Sequence, residues 1–217
     1  NLQSLWILRL MSAPKWSYGI TTVSYRSELL ASTIDCLSNG GFNKPSLFVD
    51  TTVASLGSYY GYGLPVTVRY PPLGITGNFF ASIWELYSRC PEAKYFALFQ
   101  DDLECVTNLR GYIERTYDPL INSYLNLYTF PANSDLAEPD TVGFHPSDQL
   151  GKGGLGLVFN NPTLLKLLTS THPFLHRRNH PRGHKCVDGA IVTALKGCGV
   201  TEFVHTPSLT QHKGDIS

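Results

Sequence analysis

The sequence has few charged residues, a single methionine and no two cysteines spaced C-x-x-C. Charged residues occupy 16% of the 217 positions, below the usual quarter, and 17 Lys and Arg balance 17 Asp and Glu. A net charge near zero gives no electrostatic reason to expect nucleic-acid or anionic-membrane binding. No apolar run reaches the roughly 18 residues that a membrane span requires. We therefore expect no nucleic-acid partner and no membrane span in this chain.

The composition indicates one folded domain. Hydrophobic residues make up 42% of the chain and aromatic residues 12%, which suits a large core without help from a disulfide or a metal. The length corresponds to one typical domain, or to one domain with long loops. We find no internal sequence repeat. We expect residues 1–17 to be an N-terminal extension or a cloning remnant, and residues 18–217 to form the domain.

The cysteines are dispersed along the chain and odd in number. This pattern favours free thiols over a disulfide framework, and free thiols are typical of a reducing compartment. We therefore expect a cytoplasmic protein. The alternative is a lumenal domain of a secretory-pathway enzyme with one or two disulfides. The five positions are Cys36, Cys90, Cys105, Cys186 and Cys198.

The first 50 residues predict a strand, a helix and a second strand. Residues 18–24 are apolar and β-branched, as in a buried strand. Leu30, Ile34 and Leu37 then recur at helical spacing, and the apolar run at residues 46–49 follows. A strand, a helix and a strand separated by so few residues form a βαβ unit with a parallel sheet.

The rest of the chain continues the alternation. Residues 95–99 are uniformly apolar, which is typical of a central strand covered on both faces. The sequence therefore predicts an α/β fold with a mostly parallel central sheet flanked by helices. Further helices are expected at residues 78–90, 161–168 and 188–196, further strands at 124–130, 155–159 and 201–205, and a long polar loop at 131–152.

Three carboxylates follow the uniformly apolar strand within four positions. Asp101, Asp102 and Glu104 repel one another, so their proximity requires a compensating group. Oxygen ligands at a strand end suit Mg²⁺ or Mn²⁺ together with a phosphate, and the strand ends of an open α/β sheet are where ligands bind. The alternative is a polar turn in which Asp102 caps the following segment. We favour the metal site.

The ordered motifs resemble those of nucleotide-sugar-dependent glycosyltransferases of the GT-A fold, from residue 18 to about residue 214. Residues 21–26 (T-T-V-S-Y-R) are similar to that family's first strand end, where an arginine meets the nucleotide. Gly74-x-x-Gly77-Asn78, expected before a helix, resembles the second nucleotide-contacting loop. The run Phe99-Gln100-Asp101-Asp102 resembles the family's metal motif.

The second half of the chain carries the remaining motifs. Gly153-Gly154-x-Gly156 resembles the glycine-rich segment on the acceptor side. Asp188, at the start of a predicted helix, matches the position of the catalytic base in inverting members. Residues 207–214 (P-S-L-T-Q-H-K-G) resemble a C-terminal segment whose histidine, here His212, completes the metal site.

The resemblance implies a single-domain, Rossmann-like GT-A fold and a role for each matching residue. Asp188 is implied as the catalytic base, and Asp102 with His212 as the ligands of Mn²⁺ or Mg²⁺. Residues implied to bind the nucleotide sugar are Thr22, Ser24, Arg26, Asp50, Asn78 and Asp101.

Two positions depart from the family pattern. A strict D-x-D motif has an acid where this chain has Gln100, so the metal pair is either Asp102 with His212 or Asp102 with Glu104. The family base is often the second acid of a Glu-Asp pair, whereas Val187 precedes Asp188 here. Helix capping by Asp188 is the alternative to catalysis, and the two roles are compatible.

Residues 171–187 are rich in His and Arg and contain no acid. We hypothesise a lid that binds a diphosphate through charge-assisted hydrogen bonds. A solvated surface loop is the alternative. The basic residues of this segment are Arg177, Arg178, Arg182 and Lys185.

The sequence thus predicts a metal-dependent, inverting glycosyltransferase of hexosyl or N-acetylhexosaminyl type. Its expected partners are a nucleotide-diphosphate sugar, with a UDP-sugar favoured, and a glycan or another acceptor with a free hydroxyl. One alternative is a nucleotidyltransferase, although residues 22–28 lack the glycine-rich phosphate loop of that class. The other is a catalytically degenerate nucleotide- or sugar-binding domain, which the absence of an acid at Gln100 keeps open.

Overall fold

A computed structural model describes residues 15–51, 57–118, 121–171 and 187–213. Within these ranges a large sheet is flanked by helices, and a two-stranded sheet lies beside it. No described helix is both long enough and apolar enough to cross a membrane. The strands are β1 (Trp16–Val23), β2 (Ser46–Asp50), β3 (Val66–Arg69), β4 (Tyr95–Gln100), β5 (Leu103–Cys105), β6 (Ser123–Asn126), β7 (Gly143–Pro146), β8 (Gly156–Asn160), β9 (Thr201–Thr206) and β10 (Thr210–His212). The helices are α1 (Ser27–Asn39), α2 (Gly57–Tyr60), α3 (Gly74–Arg89), α4 (Leu109–Thr116), α5 (Pro131–Ser134), α6 (Asn161–Thr169) and α7 (Val187–Lys196).

The large sheet has eight strands in the order β3-β2-β1-β4-β8-β6-β9-β7. Strands β3, β2, β1 and β4 are mutually parallel, and β6 and β9 run in the same direction. Only β8 and β7, of the strands in this sheet, run the opposite way. The predicted α/β fold with a mostly parallel sheet is therefore confirmed, including the opening β1-α1-β2 unit.

The chain reverses its direction of travel across the sheet between β1 and β4. From β1 the chain moves outward to β2 and β3, and it then returns to place β4 on the other side of β1. Such a reversal leaves a crevice at the carboxyl ends of the two central strands, which is where open α/β sheets bind ligands. The polar residues that follow β1 and β4 are therefore brought to the same crevice.

Helix α3 begins four residues earlier than the sequence predicts. Both carboxylate oxygens of Asp50, at the end of β2, accept hydrogen bonds from the backbone N–H groups of Leu73 and Gly74, at 2.7 and 2.8 Å. This contact supplies acceptors for N–H groups that the start of a helix leaves unpaired. The acceptor comes from a residue distant in sequence, so local pattern did not reveal it. Gly74 and Asn78 consequently lie within the helix rather than before it.

The middle of the chain contains more regular structure than expected. The strand predicted at residues 124–130 is wrong in length, because only Ser123–Asn126 is a strand. The predicted loop at residues 131–152 is also wrong, since it contains α5 and β7. Strand β7 has no apolar alternation and exists through its antiparallel pairing with β9. The small sheet of β5 and β10 was likewise not predicted.

A cluster of aromatic rings joins α1 to the centre of the sheet. Phe42, just after α1, is fully buried, and its ring centroid lies 5.1–5.2 Å from those of Trp16, Tyr18 and Phe99. All three contacts have steeply inclined ring planes, the edge-to-face arrangement that adds to the energy of burial. Phe42 therefore fixes the C-terminal end of α1 against β1 and β4.

We predict that Phe42→Ala lowers the free energy of unfolding by about 3–5 kcal/mol, because it removes a buried ring and leaves a cavity. The exposed Val142 provides a control, and Val142→Ala should change the value by less than about 0.5 kcal/mol. Urea denaturation monitored by tryptophan fluorescence measures both. Equal losses in the two variants would contradict the assigned packing.

Candidate functional site

A cleft opens at the carboxyl edge of the sheet, where β1, β2 and β4 end. It is walled by the segments that follow these three strands and by the first turns of α3. The cleft lies at the reversal point between β1 and β4. Of the predicted nucleotide-sugar and metal residues, those lining the cleft are Thr22, Arg26, Asp50, Asn78, Asp101 and Asp102.

Arg26 links the two neighbouring aspartates at the centre of the cleft. Its Nη1 lies 3.0 Å from Oδ1 of Asp101 and 3.3 Å from Oδ2 of Asp102. The hydroxyl of Thr22 donates to Oδ2 of Asp101 at 2.6 Å, so both oxygens of that carboxylate are engaged. The charge compensation that the three clustered acids require comes partly from an arginine of the first strand–helix turn.

The pKa values of Asp101 and Arg26 are set by two opposing effects, burial and the interaction between the two side chains. Burial raises the pKa of Asp101, and the hydrogen bonds from Thr22 and Arg26 oppose that rise without cancelling it. Burial works to lower the pKa of Arg26, but the hydrogen bond and charge of Asp101 outweigh it and raise the pKa. Asp101 is thus a nearly buried carboxyl whose contacts position Thr22 and Arg26.

Asp102 has one carboxylate oxygen without a partner. Its Oδ1 is buried and makes no hydrogen bond within the described parts of the chain. Its Oδ2 lies 3.5 Å from Nδ1 of His212, which β10 carries to this point by pairing with β5. A buried oxygen left unpaired costs about 1–3 kcal/mol. The two residues proposed from sequence as metal ligands therefore lie together.

The donor set fits a divalent cation that receives most of its ligands from elsewhere. Among the described residues, no group of three or more His, Cys, Asp or Glu side chains could hold a metal ion by itself. Mg²⁺ usually takes one or two protein carboxylates and completes its shell with substrate phosphates and water, and carboxylate oxygen also suits Mn²⁺. The Asp102 carboxylate, with one oxygen unpaired and the other 3.5 Å from Nδ1 of His212, provides such an incomplete set.

Other predicted residues contribute to the walls of the cleft or lie beside it. Asp50 is occupied in holding the start of α3, and the Asn78 side chain donates to the Phe48 carbonyl at 3.0 Å. Ser24 is half-buried in the turn after β1 and is not among the described lining residues. Glu104 points away, with 53% of its side chain exposed and its carboxylate 3.3 Å from Nζ of Lys213.

Asp188 lies in the first turn of α7, against the glycine-rich segment before β8. Burial raises the pKa of Asp188, while the neighbouring backbone N–H groups of Gly154 and Gly153 and the charge of His212 lower it. Its Oδ1 is buried and unpaired within the described residues. A Cβ atom added to Gly154 would lie 2.0 Å from that oxygen, so only glycine admits the carboxylate there.

Gln100 connects the two halves of the site. Its side-chain amide donates to the carbonyl of Gly154 at 3.0 Å, which ties the end of β4 to the segment that holds Asp188. An ionised acid at this position has no hydrogen to donate, so it could not make this bond. The departure from the D-x-D pattern therefore has a structural role in this chain.

The sequence analysis did not identify a buried carboxyl on β9, that of Glu202. Glu202 accepts hydrogen bonds from the hydroxyls of Tyr124 and Ser147, each at 2.7 Å, and burial raises its pKa. Asn126 beside it donates to the carbonyl of Lys152 at 2.8 Å and so anchors the segment leading to Gly154. Glu202 lies within an apolar strand pattern, and only the fold reveals that its neighbours are polar.

Several predicted features lie outside the described residues. They include most of the proposed N-terminal extension, Cys186 and the basic residues of the hypothesised lid, namely Arg177, Arg178, Arg182 and Lys185.

The fold is an α/β fold of GT-A-like type. A crystal structure of GalNAc-T7 with UDP, GalNAc and Mn²⁺ is similar to this chain, with a TM-score of 0.63 and 8% sequence identity. The similarity covers 93% of this chain and 44% of the GalNAc-T7 chain, so this chain spans less than half of that protein's length. No protein-family model and no curated protein sequence matches the chain. At this identity the likeness establishes the fold.

We predict that Gly154→Ala destabilises the protein by about 1–3 kcal/mol, because the added methyl group overlaps the Asp188 carboxylate. Gly197→Ala is the matched control, since the nearest atoms to its added Cβ lie 3.6 Å away, and it should cost less than about 0.5 kcal/mol. Thermal and urea unfolding of both variants measure the difference. A Gly154→Ala variant as stable as the wild type would show that Asp188 does not pack as described.

Proposed function

We propose that this protein is a metal-dependent glycosyltransferase that moves a sugar from a nucleotide-diphosphate donor to an acceptor hydroxyl with inversion at the sugar carbon. The observation that carries the proposal is the placement of Asp102 at the cleft where β1 and β4 end: its Oδ1 has no partner among the described residues, and its Oδ2 lies 3.5 Å from Nδ1 of His212. The GT-A-like fold supports the transferase class, and the GalNAc-T7 structure with UDP, GalNAc and Mn²⁺ supports the choice of a nucleotide donor and a divalent cation. The proposed inversion rests on Asp188 as the single candidate base.

The donor binds across the cleft in this proposal. Arg26 supplies a fixed positive charge next to the diphosphate, and Asp101 with Thr22 holds the guanidinium in place. Asp50 shapes the opposite wall through its two hydrogen bonds to the start of α3. A UDP-sugar is the favoured donor, with a hexosyl or N-acetylhexosaminyl group, because the similar structure was determined with UDP and GalNAc.

Asp102 and His212 would hold Mn²⁺ or Mg²⁺. When bound, such a cation stabilises the negative charge that develops on a leaving diphosphate. The protein contributes the placement of the two ligands: the backbone N–H of Lys213 donates to the Asp102 carbonyl at 2.7 Å, and β5 pairs with β10. These contacts keep the carboxylate and the imidazole at one end of the cleft.

Asp188 would take the proton of the acceptor hydroxyl. A general base is most effective when its pKa lies near the working pH, and burial raises the pKa of Asp188 in that direction. In this proposal its carboxylate accepts a hydrogen bond from the incoming hydroxyl, as on a glycan or another alcohol. Gln100 positions this base indirectly, through the carbonyl of Gly154.

Nucleotide binding tests the donor site. We expect calorimetric titration with UDP, GDP, CDP and ADP to show Mn²⁺-dependent binding of one nucleotide, strongest for UDP and lost in EDTA. Asp102→Asn should weaken that binding by more than about tenfold, because even residues that only orient a metal ligand contribute this much. Glu104→Gln removes a nearby carboxylate that faces solvent and should leave binding unchanged.

Each departure from this result has a defined meaning. Loss of binding in Glu104→Gln as well would favour Asp102 with Glu104 as the metal pair. Binding of no nucleotide to the folded protein would contradict the proposal. Binding without transfer to any acceptor would favour a degenerate binding domain, and turnover of a nucleoside triphosphate would favour a nucleotidyltransferase.

The pH dependence of transfer tests the base. Asp188 must be ionised to accept a proton, so kcat falls as pH decreases through its pKa. Because that pKa is raised, the acidic limb should lie above the ordinary aspartate range near pH 4. Asp188→Asn should lower kcat by about 10²–10⁴-fold while donor binding persists. Unchanged turnover in this variant would exclude Asp188 as the base.

A further inference from the structure

Two cysteines from different secondary-structure elements lie in contact close to the Asp101–Asp102 segment. Sγ of Cys36, in α1, lies 3.2 Å from Sγ of Cys105, at the end of β5. The backbone N–H of Cys105 also donates to Sγ of Cys36 at 2.8 Å. Both side chains are only partly buried, and both sulfurs are thiols in the structure. The pair is close enough to react and accessible enough to be reached.

The fold holds the two sulfurs together through the contact of α1 with β5. Thr33 lies one helical turn before Cys36, and its hydroxyl donates to the Asp101 carbonyl at 2.8 Å and accepts from the Leu103 backbone N–H at 3.1 Å. At Gly40 a Cβ atom would lie 3.1 Å from Sγ of Cys105, so glycine leaves room for that sulfur. The proximity of the thiols therefore follows from the packing around them.

The two thiols differ in acidity. Side-chain hydrogen bonding with Cys105 lowers the pKa of Cys36, and the Cys105 backbone N–H and Lys213 act in the same direction against burial and Glu104. The same pairing, together with burial, raises the pKa of Cys105. A thiolate is the nucleophile in thiol–disulfide exchange, and a backbone N–H that donates to a sulfur stabilises its thiolate. Because the Cys105 N–H donates to Sγ of Cys36, we assign Cys36 as the attacking sulfur and Cys105 as the resolving one.

We propose that Cys36 and Cys105 form a reversible disulfide that joins α1 to β5, with a small-molecule disulfide such as oxidised glutathione as the oxidant. The Cys36 thiolate attacks one sulfur of the oxidant, which breaks its S–S bond and releases one thiolate. Cys105 then loses its proton and attacks Cys36, releasing the second thiolate. Two protein thiols are oxidised, one small disulfide is reduced to two thiols, and the reaction is reversed by excess reductant.

The disulfide would restrain β5, the strand that lies next to the candidate site. Strand β5 begins directly after Asp101 and Asp102, and it pairs with β10, which ends at His212. A covalent tie from α1 to Cys105 restrains this small sheet and closes a long chain loop, which stabilises a protein by restricting its unfolded state. The inference rests on the position of the sulfurs and does not require the proposed glycosyltransferase activity.

The test equilibrates the wild-type protein with defined ratios of oxidised to reduced glutathione, followed by alkylation and peptide mapping by mass spectrometry. We expect a peptide linked through Cys36 and Cys105 under oxidising conditions, which disappears on addition of dithiothreitol. Cys90→Ser and Cys198→Ser are the matched controls and should form the same linked peptide. In Cys105→Ser, Cys36 should instead retain a single glutathione.

Two physical measurements accompany the mapping. The oxidised wild type should unfold roughly 5–10 °C higher than the reduced form, and the amides of β5 and β10 should exchange more slowly with solvent. Cys36→Ser and Cys105→Ser should show neither change between the two conditions. Alkylation of both cysteines throughout the oxidising range, or a linked peptide through another cysteine, would overturn the proposal. These outcomes are read from the wild type and so do not depend on the folding of any variant.

Discussion

The parallel pairing of β1 with β4 is the constraint on which the site depends. Thr21 is in register with Gln100, so the next residues on the two strands, Thr22 and Asp101, meet and form a short hydrogen bond. Arg26, at the start of α1, then reaches Asp101 and the following aspartate. Without this pairing, residues nearly 80 positions apart would have no reason to share a cleft.

The electrostatics of the cleft remain incomplete in the protein alone. Arg26 neutralises part of the charge that Asp101 and Asp102 bring into a confined space, but one oxygen of Asp102 stays buried and unpaired within the described residues. Unpaired buried oxygens are rare because they lose their hydration without compensation. His212 lies beside the same carboxylate, with its Nδ1 3.5 Å from Oδ2.

The position of Asp188 depends on close packing against a glycine. Asp188 fits against Gly154 because that residue has no side chain, and Gln100 fixes the segment through its carbonyl. Gln100 also lines the cleft that contains Asp101 and Asp102. The end of β4 therefore sets the distance between the Asp101–Asp102 pair and Asp188. Gln100 is its last residue and binds the Gly154 segment, and the two aspartates follow directly.

The α/β class, the opening βαβ unit and the location of the polar residues past the strand ends could all be predicted from the amino-acid sequence. These features follow from apolar periodicity and local helix signals, which act over a few residues. The sequence also indicated Asp102, His212 and Asp188 as candidates, although their roles are still predictions. The start of α3, the strand β7 and the pairing of β5 with β10 could not be predicted in this way, because each depends on hydrogen bonds from a distant segment. The contact between Cys36 and Cys105 has the same origin: nothing in their spacing predicts it, and the packing of α1 on β5 creates it.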